Sequence, residues 1–172
     1  MPDPDLSLEQ KMFQQARRFE SASNHLASGS FAHVHAYPSL HNAIVSMELY
    51  LKALQQLSSG SYQRGHNLEN LFQNLQPQIR AKIRKTWKLY AQNTYRKMPK
   101  QLPSGEVIPM PGTVEEALRA ALRLYETTRY VWEPTSDEVF TLHLFPAQLR
   151  AVINEMYGDR VKMPVGTAAE NH

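Results

Sequence analysis

The sequence predicts an all-α fold, a single antiparallel bundle of four to five helices. Three observations point that way. Apolar residues recur at intervals of three and four along most of the chain, Ser7/Gln10 and Thr113/Glu116 form capping boxes, and only Val139 to Leu144 alternates like a strand. A chain of 172 residues is one domain on size and can bury a sizeable core without disulfides or structural metals.

The first element follows Ser7, where Leu8, Met12, Ala16, Phe19, Ala22 and Leu26 make a helical stripe ending near Gly29. Pro38 opens a second helix that runs to about Leu57 and stops in Ser58-Ser59-Gly60-Ser61, a turn signal. Its inward stripe is Leu40, Ile44, Met47, Leu51 and Leu54, and Glu48 lies on that stripe or at its edge. An isolated buried charge is too unfavourable to stand alone, so Glu48 requires a partner.

Leu68, Leu71, Phe72 and Leu75 suggest a brief helix, and Ile79, Ile83, Trp87 and Tyr90 a longer one with Pro77 in its first turn. Four prolines and two glycines between Lys97 and Gly112 indicate a long exposed loop over 97–112. Thr113 then starts a helix carrying Val114, Leu118, Ala121, Tyr125 and Trp132, stopped by Pro134. Pro146 and Gly158 bracket a last short helix with Leu149, Val152, Ile153 and Met156. The helical domain is thus expected over 1–158, and 159–172 reads as a polar C-terminal tail.

Composition narrows the chemistry. The chain has no cysteine, which excludes a disulfide framework and a thiolate ligand or nucleophile. No run approaches the ~18 apolar residues of a membrane span, and the acidic Met1-Pro2-Asp3-Pro4-Asp5 start is unlike a secretory signal. The expectation is a cytoplasmic protein with no membrane partner. Net charge is only +3, but no acidic residue lies between Glu69 and Glu106, where Arg80, Lys82, Arg84, Lys85, Lys88, Arg96, Lys97 and Lys100 fall. That block is either a solvated helix face or a surface for phosphate-rich partners. Arg80, Arg84, Lys85, Lys88, Arg96 and Lys97 are the candidate nucleic-acid contacts. Trp87, Tyr90 and Tyr95 interleave with them and either stack on bases or belong to the core stripe of Ile79 and Ile83.

Arg129 repeats the oddity of Glu48, four residues after Tyr125 and three before Trp132 on an inward stripe. Two pairings are open: Glu48 with Arg129 across helices, or Glu48 with Lys52 and Arg129 with Glu133 as i,i+4 pairs. His33, His35 and His41 cluster, but without the convergent carboxylates or second shell of a metal site, and they read as loop histidines. No metal or cofactor is expected. His66, between Arg64 and Asn67 at a helix start, either caps that helix or faces an anion.

The run from Asn42 through Glu48-Leu49-Tyr50-Leu51-Lys52-Ala53-Leu54, then Gly65-His66-Asn67-Leu68, then Arg129-Tyr130-Val131-Trp132-Glu133, resembles the HEPN superfamily (higher eukaryotes and prokaryotes nucleotide-binding). The three motifs occur in the family's order across residues 40 to 133. The resemblance implies a helical bundle, often a homodimer. It further implies a role linked to RNA or nucleotides, alone or with a cognate protein partner, in stress, defence or toxin–antitoxin settings.

Active members are metal-independent ribonucleases that place an Arg, four to six residues, and a His near the start of the last conserved helix. Here the next His after Arg129 is His143, so that pair is missing. Arg18 and His25 have the spacing, but on the first helix, where chance supplies it in a chain of this composition. The resemblance therefore implies a non-catalytic member that binds RNA, nucleotides or a partner. The alternatives are a ribonuclease with an unusual site drawn from Arg64, His66 or Arg129, and a purely structural protein–protein module.

Overall fold

The computed structural model describes residues 6–28, 35–95, 111–127 and 145–162. These residues form six helices and no strand: α1 (Leu8–Leu26), α2 (Ala36–Ser59), α3 (Leu68–Gln73), α4 (Pro77–Tyr95), α5 (Val114–Thr127) and α6 (Phe145–Val161). Five have 14 residues or more and α3 has six, so a five-helix bundle with one short connector matches the expectation. The candidate strand at Val139–Leu144 and the stretch 97–110 of the predicted loop lie outside the described residues.

Both capping boxes form. Ser7 Oγ accepts from Gln10 N–H at 3.3 Å while Gln10 Oε1 accepts from Ser7 N–H at 3.0 Å. Thr113 Oγ1 accepts from Glu116 N–H at 3.2 Å, and Glu116 Oε2 takes the N–H of Gly112 and Thr113. At the other end of α2, Gly60 adopts the left-handed conformation (φ 73°), and its N–H closes on Gln56 O.

α2 is the central helix. Leu40, Ala43, Ile44, Met47, Tyr50, Leu51, Ala53, Leu54 and Leu57 are all buried, too many for one face, so neighbours cover it on several sides. α1 runs antiparallel to it: Phe13 meets Tyr50, Ala16 meets Ser46 and Ser23 meets Ser39. α6 runs antiparallel to α1, with Arg160 on Glu9 and Arg150 on Glu20. It is also antiparallel to α4, where Lys82 pairs with Glu155 and the Trp87 ring lies 4.7 Å from that of Phe145. Ile79, Ile83 and Trp87 are buried, so Trp87 belongs to the core and not to a base-stacking surface.

α6 continues three residues past Gly158, through a kink at Tyr157 (φ −139°, ψ 21°), to a buried Val161. The tail read from residue 159 therefore begins as helix. Long-range bonds from Arg160 to Leu57 O (2.7 Å) and from Gln10 to Lys162 O (3.1 Å) hold that end, and nothing in the local sequence announces them.

Candidate functional site

Glu48 lies on the flank of α2 with its side chain 13% exposed. Lys52, one turn on, donates to Glu48 Oε1 at 2.7 Å, and His66 Nδ1 lies 3.1 and 3.0 Å from the two carboxylate oxygens. The charge thus finds one partner on its own helix and one across the α2–α3 connection. Arg129 and Glu133 lie outside the described residues, so the pairs drawn to them have no geometry here.

His66 does not cap α3. Asn67 does, its side-chain oxygen accepting from Asn70 N–H at 2.9 Å, and this corrects the capping role read for His66. The imidazole instead spans from the loop to Glu48 and remains 70% exposed. With Nδ1 held by the carboxylate, Nε2 is the ring atom free for other contacts. Arg64 is exposed two residues earlier, and among the described residues it makes no ion pair.

The candidate cations of α4 divide into two groups. Arg84 donates twice to Glu115 Oε1, at 2.9 and 2.6 Å, and stacks over Phe72 at 5.3 Å. Burial raises the Glu115 carboxyl, but the Arg84 hydrogen bonds, its own backbone N–H and the charges of Arg84 and Arg119 together leave it below the usual carboxylate range. Arg80 donates to Gln73 Oε1 at 2.9 Å, and Lys82 pairs with Glu155. Lys85 and Lys88 point outward with no ion pair among the described residues, next to Leu89, which is 54% exposed. Arg96 and Lys97 lie outside the described residues, as does the side chain of Tyr95.

Arg18 and His25 are both exposed on α1, and Arg18 donates to Gln15 at 3.4 Å. His33 lies outside the described residues, while His35 precedes α2 and His41 sits in its first turns. Among the described residues no three His, Asp or Glu side chains form a metal-binding group.

One cluster escaped the sequence reading. Glu20, buried on α1, accepts from Tyr50 OH at 2.6 Å and from Arg150 Nε at 3.1 Å (Oε1) and 2.9 Å (Oε2), joining α1, α2 and α6. Burial first, and then the bond to Glu20, raises the Tyr50 phenol far above its ordinary value, so it stays a donor. The signal was available, because Glu20 lies four residues after Ala16 on an apolar stripe, as Glu48 does after Ile44. Tyr62 has no such signal, since a lone aromatic in a loop has no periodicity to expose it.

No helix among the described residues is long and apolar enough to cross a membrane. A family model described as HEPN domain matches residues 10–139. Comparisons with curated proteins and with solved structures give no match.

Proposed function

The chain belongs to the HEPN domain family, and on that premise we propose that it is a cytoplasmic, non-catalytic module that holds RNA or nucleotides through the outer face of α4. The observation that carries this reading is the division of the α4 cations. Arg84 and Lys82 are matched by Glu115 and Glu155, while Lys85 and Lys88 are left exposed together. Exposed, unmatched lysines on a helix with no acid of its own attract phosphates and release counterions when they bind them. Arg96 and Lys97, next in the sequence, extend the proposed contact, and Arg80 and Arg84 add to the field without being free to make it. The same reading has the protein acting as a homodimer, with a cognate partner in a stress, defence or toxin–antitoxin setting. Sedimentation velocity checks the dimer.

Labelled RNA without metal, at two salt concentrations, tests the main claim. Intact RNA should be retained, more weakly at higher salt, and Lys85→Glu/Lys88→Glu should weaken retention and flatten the salt dependence by up to about two in log–log slope. Retention unchanged by the double reversal would remove α4 from the interface.

A second reading rests on the Glu48–His66 contact. A carboxylate holding Nδ1 of an exposed imidazole is the arrangement by which a general base is oriented, with Nε2 aimed at solvent. In that reading the protein is a metal-independent ribonuclease, Arg64 or Arg129 facing the phosphate. Metal-free cleavage that disappears in His66→Ala would establish it over the binder. Binding to a protein partner, insensitive to salt and without RNA, would favour the structural module instead.

A further inference from the structure

The connection between α2 and α3 is pinned, although it has no regular structure. Gln63 N–H donates to Gln55 Oε1 at 2.7 Å, and Gln63 Oε1 accepts from Asn74 Nδ2 at 2.6 Å. Gln55 itself is buried and donates to Leu71 O at 2.7 Å. His66 is tied to Glu48, and Asn67 caps α3. The two described glycines with positive φ, Gly60 and Gly65, turn the chain at either end of this stretch.

The Gln55 bonds lie inside, and those of Gln63 to Asn74, His66 to Glu48 and Asn67 to Asn70 tie the loop down along its rim. What the loop turns outward is Tyr62, one of three large hydrophobic side chains exposed among the described residues, together with Arg64 and the Nε2 edge of His66. Neither Tyr62 nor Arg64 has a hydrogen bond or ion pair within the described fold. An aromatic ring, a guanidinium and an imidazole edge are the side chains that hold an unpaired nucleotide, by stacking, phosphate pairing and edge hydrogen bonding respectively. Four residues of chain reach at most about 14 Å, so one or two nucleotides can touch all three. Because the loop is already ordered by Gln55, Asn74 and Glu48, binding need not order it again.

We propose that the loop of residues 61–67 is a contact site for unpaired RNA nucleotides, in which Tyr62 stacks on a base, Arg64 pairs with a phosphate and His66 Nε2 hydrogen-bonds to the base or ribose. The site deepens the RNA-binding reading and rests on it, but uses residues separate from Lys85 and Lys88. It also gives the protein a preference that a lysine stripe alone lacks. A paired base in a duplex cannot lie on Tyr62.

The test uses the full chain with a short single-stranded RNA carrying 2-aminopurine and with an RNA duplex of the same length. Tyr62→Ala is expected to weaken single-strand binding by roughly 5- to 150-fold, the range of one stacked base, while Tyr62→Phe binds like the wild type and duplex affinity stays put. Arg64→Gln should lower the salt slope by about one. Adding AMP should shift the ring proton resonances of Tyr62 and His66. If Tyr62→Ala binds single strands like the wild type while Lys85→Glu/Lys88→Glu does not, the loop is excluded and the α4 face stands. The opposite pattern keeps the loop and removes α4. Loss in Tyr62→Phe equal to that in Tyr62→Ala would point to the hydroxyl and overturn stacking, and a wild type that binds neither RNA nor AMP overturns both sites.

Discussion

Glu20 carries two donors of different kinds, the phenol of Tyr50 and the guanidinium of Arg150, and it is the most deeply buried carboxylate among the described ion pairs. Arg150 is itself 40% exposed, so this pair lies between a surface bridge and a fully buried one. Arg150→Met should lower stability by about 1–3 kcal/mol, measured by urea denaturation, because the carboxylate stays buried with one donor lost. Tyr50→Phe removes a single hydroxyl from a site with 0% exposure and should cost about 1–2 kcal/mol. The double variant should lose less than the sum if the three groups act as one network. At this scale the sequence was legible in kind and, for Glu48, in one partner, Lys52 four residues on. A charge on an apolar stripe announces that a partner exists, and Glu48 and Glu20 both obey that. The other partners lie 18 residues away at His66 and 130 away at Arg150, and no local spacing encodes such distances.

The helices themselves were readable because their ends are chemical. Ser7, Thr113, Pro77 and Gly60 each sit where a helix needs a side-chain acceptor, a missing N–H or a left-handed residue. Ser7→Ala should remove about 1 kcal/mol, seen as a lower Tm and as faster amide exchange in the first turn of α1. Gly60→Ala meets no steric neighbour, yet forces a side chain into φ 73°, and should cost about 1 kcal/mol through that strain alone. Where end signals were tertiary, the reading stopped short, as at α6. The basic block shows the same limit, since charge counting cannot tell Arg84, matched by a carboxylate 31 residues on, from Lys85, which is not.

Across the described side chains the carboxylates are accounted for. Glu9 meets Arg160, Glu20 Arg150, Glu48 Lys52 and His66, Glu69 Arg119, Glu115 Arg84, Glu155 Lys82 and Asp159 Lys162, while Glu116 caps α5. Lys11, Arg17, Arg18, Arg64, Lys85 and Lys88 have no such match among the described residues. A net charge of +3 therefore understates the cationic surface that a polyanion meets. The matched acids also set the acid limit of the fold. The Glu9 carboxyl is lowered by its own backbone N–H and, against burial, by Arg160, and Glu115 is lowered as described. Both therefore stabilise the folded state above their ordinary value of 4.5, and that contribution is lost as pH falls through their lower folded values. Thermal melting should show Tm declining below that pH, less steeply in Glu115→Gln, whose Tm near neutrality is already reduced.

The seam between α1 and α2 has a different kind of consequence. Ser23 and Ser39 face one another at 3.3 Å, Ser39 donates to Ser23 O at 2.9 Å, and Ser46 donates to Ala16 O at 2.8 Å, all of them buried. Apolar stripes repeat each turn, so sliding one helix along the other by about 5.4 Å would re-match them almost as well. The hydroxyls would not re-match, and three would be left stranded without acceptors. Leucines make the two helices adhere, but the serines act as a vernier, marking the single alignment at which the hairpin locks.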